Sequence, residues 1–198
     1  AKKYLIKRKI PEQFYDKLYY CDKFQSYVNR LRPGTFDKLN KIYEHPRLII
    51  PFYDVDGEVF AIQGRAFGKE TPKYLTLKFD ETKQKIYGLE RVNLQNKLYI
   101  VEGPIDSLFI DNCLAAAGAD LQLPVEKKDV VFIFDNEPRN KQIIDRMYKV
   151  IEQDYELVIW PEGQEEKDIN DMIMQGKSKS EIQNIITENT YSGLSALT

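Results

Sequence analysis

Leu98-Tyr99-Ile100-Val101 runs directly into Glu102-Gly103-Pro104-Ile105-Asp106. A short apolar run of this kind reads as a buried strand, and the carboxylates stand at its carboxyl end. The pattern recurs twice. Val130-Val131-Phe132-Ile133-Phe134 runs into Asp135-Asn136-Glu137, and Leu157-Val158-Ile159-Trp160 is followed after a polar loop by Lys167-Asp168-Ile169-Asn170-Asp171. In open α/β sheets ligands bind beyond the carboxyl ends of the strands, so three such strands bring their acids to one place. Clustered carboxylates repel one another and call for a cation, and hard oxygen donors suit Mg²⁺ together with phosphates. The first expectation is therefore a divalent-metal site for phosphoryl or nucleotidyl transfer.

Around these clusters the chain alternates strand and helix. Strand 97–101 leads to a helix at 104–112, with a short strand near Leu114-Ala115-Ala116-Ala117 that ends at Gly118. Strand 129–134 leads to a helix at about 137–153, strand 156–160 to a helix at 168–175, and Ser178 to Ile186 reads as a last amphipathic helix. Such alternation predicts a mostly parallel sheet with right-handed crossovers.

The first half reads differently. Residues 1–45 look like an irregular, mostly helical lead-in. Leu48-Ile49-Ile50-Pro51-Phe52-Tyr53 and Val59-Phe60-Ala61-Ile62 flank an Asp-Gly turn and predict a β-hairpin, whose second strand continues through Gly64-Arg65-Ala66. Thr71-Pro72-Lys73-Tyr74-Leu75 leads into a further strand, and Tyr87-Gly88 closes the half. The fold class expected is α/β: an α+β N-terminal subdomain over 1–95, a domain with a mostly parallel central sheet flanked by helices over 96–176, and a C-terminal helix and tail over 177–198.

Composition narrows the class. The 198 residues are 42% hydrophobic and 30% charged, which is globular, and no apolar stretch approaches the roughly 20 residues needed to span a bilayer. No apolar signal core follows the Lys-rich start, and Cys21 and Cys113 stand far apart. This argues against a disulfide framework or a cysteine-rich zinc ribbon in this chain and leads us to expect a reducing, cytoplasmic setting. Charge is divided unevenly. Residues 1–95 carry 19 Lys+Arg against 12 Asp+Glu, a net +7, and residues 96–198 carry 10 against 19, a net −9. A basic half beside an acidic half points to a polyanion partner, with plain segregation of charge as the alternative.

The three acidic clusters, in this order, resemble the Toprim domain of primases, topoisomerases and related nucleases. Glu102 with Asp106 matches the first motif, Asp135 and Glu137 the acidic pair, and Asp168 the late acid, with Asn170 where some members have a second Asp. Gln63-Gly64-Arg65, Thr71-Pro72-Lys73-Tyr74-Leu75 and Tyr87-Gly88 resemble the N-terminal subdomain of bacterial-type primase catalytic cores. Glu102-Gly103-Pro104-Ile105-Asp106-Ser107-Leu108, Asp135-Asn136-Glu137-Pro138-Arg139 and Lys167-Asp168-Ile169-Asn170-Asp171 closely resemble T-even bacteriophage primases. The resemblance implies synthesis of RNA primers on single-stranded DNA from ribonucleoside triphosphates. It implies two Mg²⁺ or Mn²⁺ ions at Glu102, Asp135, Glu137 and Asp168, with Glu102, Asp135 and Asp168 catalytic. Asp106 and Asn170 would support them. Arg65, Lys73, Tyr74, Lys85 and Arg139 would meet nucleotide or template, Arg65, Lys73 and Lys85 facing the acidic centre if the two halves fold together. Partners implied are a replicative helicase and a zinc-binding module, which such primases carry ahead of the core and this chain lacks. A Toprim nuclease or topoisomerase fragment, or a non-catalytic Toprim module, are the competing readings.

Each acid also has a plainer reading. Glu102 suits the N-terminus of a helix, Asp135-Asn136-Glu137 a strand-to-helix cap, and Asp168 the cap of helix 168–175. Arg47 is a weaker basic candidate, and His45 reads as structural. Tyr15, Tyr19, Tyr20, Phe24 and Tyr27 read as a helical core stripe, with aromatic platforms for single-stranded nucleic acid as the alternative.

Overall fold

A computed structural model describes residues 1–36, 44–116, 121 and 125–196. The expected strand end at Gly118 lies outside them. The chain divides into two compact units, Ala1–Lys83 and Gln84–Thr198.

The first unit begins with α1 (Lys2–Lys7), a 3-10 turn (Glu12–Lys17), β1 (Tyr19–Cys21) and α2 (Phe24–Leu31). β2 (Arg47–Tyr53), β3 (Val59–Ala66) and β4 (Tyr74–Lys78) complete an antiparallel sheet of order β1-β2-β3-β4. The predicted hairpin is present. Asp54 Oδ1 accepts from the amides of Asp56 (3.0 Å) and Glu58 (2.9 Å), and Gly57 supplies the positive φ of 82° that closes the turn. Phe24 and Val28 of α2 pack on Ile49, Ile62 and Leu77 of the sheet.

Two expectations for this unit are corrected. The irregular, mostly helical lead-in expected over residues 1–45 also holds a strand, because Tyr19–Cys21 pair antiparallel with Arg47–Ile49 at the sheet edge. The aromatic stripe is broken accordingly: Phe24 is buried, whereas Tyr19 and Tyr20 are 50% and 54% exposed. Arg47 is buried and structural. Its guanidinium donates to the carbonyls of Gly64 (3.0 Å), Pro72 (2.9 Å) and Lys73 (3.3 Å), so it satisfies a loop backbone from within.

The second unit contains β5 (Leu98–Val101), β6 (Cys113–Ala115), β7 (Val130–Ile133), α3 (Lys141–Glu152), β8 (Glu156–Val158), α4 (Ile169–Gln175), α5 (Lys179–Glu188) and β9 (Thr190–Ser192). The sheet order is β6-β5-β7-β8-β9, parallel except for the β8–β9 pair. Leu98, Ile100, Val130, Phe132 and Leu157 enter one core with Ile143 and Val150 of α3. Residues 84–95, read from sequence with the first subdomain, group here: Tyr87 bridges Ala115, and Leu89, Val92 and Leu94 pack on this core. Helix α5 and β9 are likewise part of this unit.

Three details differ from the sequence reading. The expected helix 104–112 is a 3-10 turn at Asp106–Leu108, because Ser107 Oγ bonds back to the Pro104 carbonyl (2.7 Å) and β6 begins at Cys113. Helix α3 begins at Lys141 and is capped by Asn140, whose side chain accepts from the Gln142 amide (3.1 Å). Asp135-Asn136-Glu137 are therefore not its cap. Strand β9 has no predicted counterpart. Among the described residues no helix is long and apolar enough to cross a membrane.

Gly64 of β3 sits under the Phe24 ring, where a Cβ would come within 2.3 Å of the ring. Since Phe24 is fully buried, overpacking here should cost about 1–3 kcal/mol. Gly64→Ala is expected to lower the urea midpoint at unchanged slope; an unaltered midpoint would mean that the ring moves aside freely.

Candidate metal and catalytic centre

The three acidic clusters arrive at the carboxyl edge of the parallel sheet by different local devices. Glu102 follows β5 immediately. The turn after it is fastened by Arg91, which donates to the Ser107 carbonyl (3.2 Å) and Ser107 Oγ (2.6 Å). That turn holds Asp106, whose Oδ1 accepts from the Asn170 amide (2.9 Å) at the start of α4. Glu102 and Asp106 are separated by this tight turn, not by a turn of α-helix.

Asp135 stands two residues beyond β7. Its amide donates to Glu102 Oε2 (3.3 Å), which ties the first cluster to the second. The intervening Asn136 fixes the third: its amide donates to the Lys167 carbonyl (2.6 Å), and its side chain to the carbonyls of Gln164 (2.7 Å) and Glu166 (3.2 Å). Asp168 then caps α4, accepting from the Asp171 amide at 2.7 Å. The capping reading of Asp168 is thus correct, and the same carboxylate acts electrostatically on Asp106 and Asp135. Asn170 is buried, with its amide on Asp106.

Charge at this edge is poorly satisfied. Desolvation first, then the nearby Asp168 and Asp135, push Asp106 up to about 8, against the opposing bond from Asn170. Asp135 is raised to about 6 by burial and by Glu102 and Asp168, with Lys167 pulling the other way. Two cations hold part of the excess. Arg146 of α3 pairs with Glu102, and Lys167 pairs with Glu137 and lies 3.5 Å from Asp135. Glu137 also accepts from Asn140 (2.6 Å), and these two partners hold its carboxyl below the ordinary range.

The cations predicted to contact nucleotide are placed differently from one another. Lys73, Lys85 and Arg139 are exposed. Arg65 is buried. Its Nε donates to the Tyr74 hydroxyl (3.0 Å), and its guanidinium lies 4.9 Å from the Tyr4 ring centre, so Arg65 and Tyr74 hold each other. Sequence reasoning gave no role to Arg91, Ser107, Asn136, Arg146 or Lys167. Only Asn136 and Lys167 carried a signal, each lying beside a motif acid.

Hard oxygens crowded at a sheet edge, two of them raised by burial and then by neighbouring carboxylates, have the chemistry to hold a divalent cation. Among the described residues no three carboxylates lie close enough to close a coordination shell as placed. Glu102 and Glu137 are turned onto Arg146 and Lys167. A carboxyl raised from 3.8 to about 8 on folding opposes folding increasingly as pH climbs between those values, because the unfolded chain then ionises more readily. Asp106→Asn keeps the acceptor for Asn170 and removes the charge. In chelator it should be more stable than wild type at pH 8, by a few kcal/mol at most, and about equal near pH 4. Urea titrations across pH check this, and a constant difference would show that Asp106 is not strained by its neighbours.

No family model matches the chain. It is 39% identical over 199 residues to the DNA primase of Enterobacteria phage T4, an alignment covering 98% of this chain and 57% of that protein. The chain thus spans little more than half the length of that relative. Among solved structures, the zinc-binding and RNA polymerase domains of the Aquifex aeolicus primase superpose with a TM-score of 0.69 at 21% identity, covering 96% of this chain and 56% of that one. A DnaG primase catalytic domain bound to single-stranded DNA gives 0.69 at 18%, covering 99% and 75%. The E. coli primase catalytic core gives 0.63 at 19%, covering 95% and 72%. At these identities the structural likeness is one of fold. Over nearly its whole length, then, this chain is a homologue of a phage DNA primase, and its fold is that of the Toprim-type primase catalytic core.

Proposed function

We propose that this chain is the RNA polymerase core of a DNA primase, making short RNA primers on single-stranded DNA from ribonucleoside triphosphates during phage-type lagging-strand replication. The observation that carries the reading is the acidic edge. Glu102 and Asp106 follow β5, Asp135 and Glu137 follow β7, and Asp168 caps α4; burial, with the charge of neighbouring carboxylates, raises Asp106 and Asp135, and such an edge suits cations. The 39% identity to the T4 primase adds the reaction class.

In the reaction a 3′-oxygen forms a bond to the α-phosphorus of the next nucleotide, the bond to pyrophosphate breaks, and the hydroxyl proton leaves. Bound Mg²⁺ or Mn²⁺, held by Glu102, Asp135, Glu137 and Asp168, would lower the pKa of that hydroxyl and neutralise the departing pyrophosphate. Glu102 is assigned as the proton acceptor, positioned by the Asp135 amide. Asp106 and Asn170 brace the edge from behind. Lys73, Lys85 and Arg139, all exposed, are assigned to triphosphate or template phosphates, with Arg65 and Tyr74 supporting the strand that presents Lys73. The partners that go with this reading are a zinc-binding module and a replicative helicase, in the cytoplasm of the host cell.

The test is primer synthesis from labelled ribonucleotides on single-stranded DNA, with Mg²⁺ or Mn²⁺, comparing wild type with Asp135→Asn. Metal-dependent oligoribonucleotides from wild type alone are expected; equal product from both would remove Asp135 from the centre. A folded wild type that stays inactive even with zinc module and helicase, and cleaves DNA instead, would overturn the polymerase reading. Glu102→Gln should lower nucleotide addition by about a hundredfold or more while the melting temperature and DNA affinity hold. Lys73→Ala should raise the KM for nucleotide or weaken template binding, again without loss of stability.

A further inference from the structure

Two cations at the acidic edge have no part in the chemistry assigned above. Arg146 pairs with Glu102, and Lys167 pairs with Glu137. The two glutamates are partnered in the same divided way. Glu102 Oε2 accepts from the Asp135 amide (3.3 Å), while Oε1 faces Arg146. Glu137 Oε2 accepts from the Asn140 side chain (2.6 Å), while Oε1 faces Lys167. One oxygen of each carboxylate is therefore aimed by a neutral donor, and the other carries a counter-charge. The neutral donor keeps the carboxylate's direction if the cation moves away.

Both cations are tethered close to the acids and are free to shift at the head. Arg146 lies three residues after Ile143 and four before Val150, both buried. Its stem therefore leaves α3 beside the core, and its head emerges at the edge with the side chain 34% exposed. Lys167 has a side chain 52% exposed, and its carbonyl accepts from the amide of Asn136, the residue between Asp135 and Glu137. Its ammonium also stands 3.5 Å from Asp135, so it reaches both members of the acid pair. Ion pairs this open to water are weak. The loops do not depend on them, because Asn136, Ser107 and Trp160 fasten those loops through uncharged bonds. What the two cations do supply is charge. A positive group on a carboxylate opposes any second positive charge that approaches it. A guanidinium and an ammonium are also the donors that phosphate oxygens accept from best.

We infer that Arg146 and Lys167 are exchangeable place-holders: a divalent ion takes Glu102 and Glu137 from them, and the released guanidinium and ammonium bind the phosphates of the incoming ribonucleoside triphosphate. The inference rests on the polymerase reading above and adds the residues that couple its ion to its nucleotide. The coupling is reciprocal. An ion frees the two cations for phosphate, and a triphosphate draws them off the carboxylates that the ion needs. An ion alone meets competition at both glutamates.

The test measures two affinities on the same chain. Mn²⁺ binding is followed by electron paramagnetic resonance without nucleotide, and binding of a fluorescent α,β-methylene ribonucleoside triphosphate is followed in saturating Mg²⁺. Arg146→Met and Lys167→Met should each bind Mn²⁺ about tenfold more tightly than wild type and the triphosphate about tenfold more weakly. Arg146→Lys and Lys167→Arg keep the charge and should stay within about threefold of wild type in both. The opposite signs are the signature, since a residue that only held the loops would weaken both affinities together or alter neither. Lys167 is half exposed, so Lys167→Met tests the idea even if Arg146→Met loses stability. A folded Lys167→Met chain that binds Mn²⁺ no more tightly than wild type, or whose two affinities move in the same direction, overturns this inference alone. A wild type that binds Mn²⁺ but no triphosphate overturns the polymerase reading and the inference with it.

Discussion

The structure of the second unit is organised around a repulsion. β5, β7 and β8 run parallel, so the segments that follow them emerge at one edge, and each carries acids: within two residues of β5 and β7, and after a loop, at Asp168, beyond β8. Left alone, such an edge would be costly, because each carboxylate is desolvated by the others' loops while feeling their charge. The protein offsets this in three ways. Arg146 and Lys167 supply positive charge, the amides of Asp135, Asn170 and Asp171 supply hydrogen bonds, and Asp106 and Asp135 retain protons more tightly than usual. The result is an edge whose acids are positioned but not fully neutralised, which is the state in which an arriving cation gains most.

Holding the acids there falls to residues that carry no charge in the chemistry. Ser107 is the hub of the first loop, accepting from Arg91 while donating to the Pro104 carbonyl. Asn136, placed between two acids, uses its backbone and side chain to pin the loop from Gln164 to Lys167, and so sets where Asp168 begins α4. Trp160 adds a bond from its indole to the Phe134 carbonyl at 2.8 Å, tying the ends of two strands together. A network of this kind fixes the loops that carry the acids, while Glu102 and Glu137 stay paired with Arg146 and Lys167.

The main features of the sheet were legible because buried parallel strands leave a strong mark: β5, β7 and β8 are short apolar runs, each followed by polar residues. The helices beside them were less so. Glu102 and Asp106 sit four apart, the spacing of a helical face, yet Ser107 diverts the chain into a 3-10 turn, a tertiary choice that periodicity does not register. The start of α3 was misplaced because Asp135, Asn136 and Asn140 are all good capping residues, and the Asn136 side chain is taken up by the loop at Gln164 and Glu166 while Asn140 Oδ1 accepts from the Gln142 amide. β9 is three residues on the antiparallel edge, too brief to show a pattern. The pairings that set the site, Arg146 on Glu102 and Lys167 on Glu137, span 44 and 30 positions and are invisible to any local reading.

Charge arithmetic on the first half also needs reinterpretation once the side chains are placed. The surplus of basic residues suggested a polyanion partner, but a guanidinium serves the interior as readily as the surface. Arg47 spends its donors on three carbonyls, and Arg65 is engaged by Tyr74 and the Tyr4 ring. Both are buried, and both brace the strand and loop that carry Lys73. The exposed cations of this unit include Lys23, Arg30 and Lys73. Arginine's planar fork matches fixed backbone carbonyls, whereas lysine's flexible stem suits a moving phosphate chain. Arg47 follows that line: its guanidinium shapes the scaffold, and one of the carbonyls it holds is that of Lys73, whose side chain is exposed.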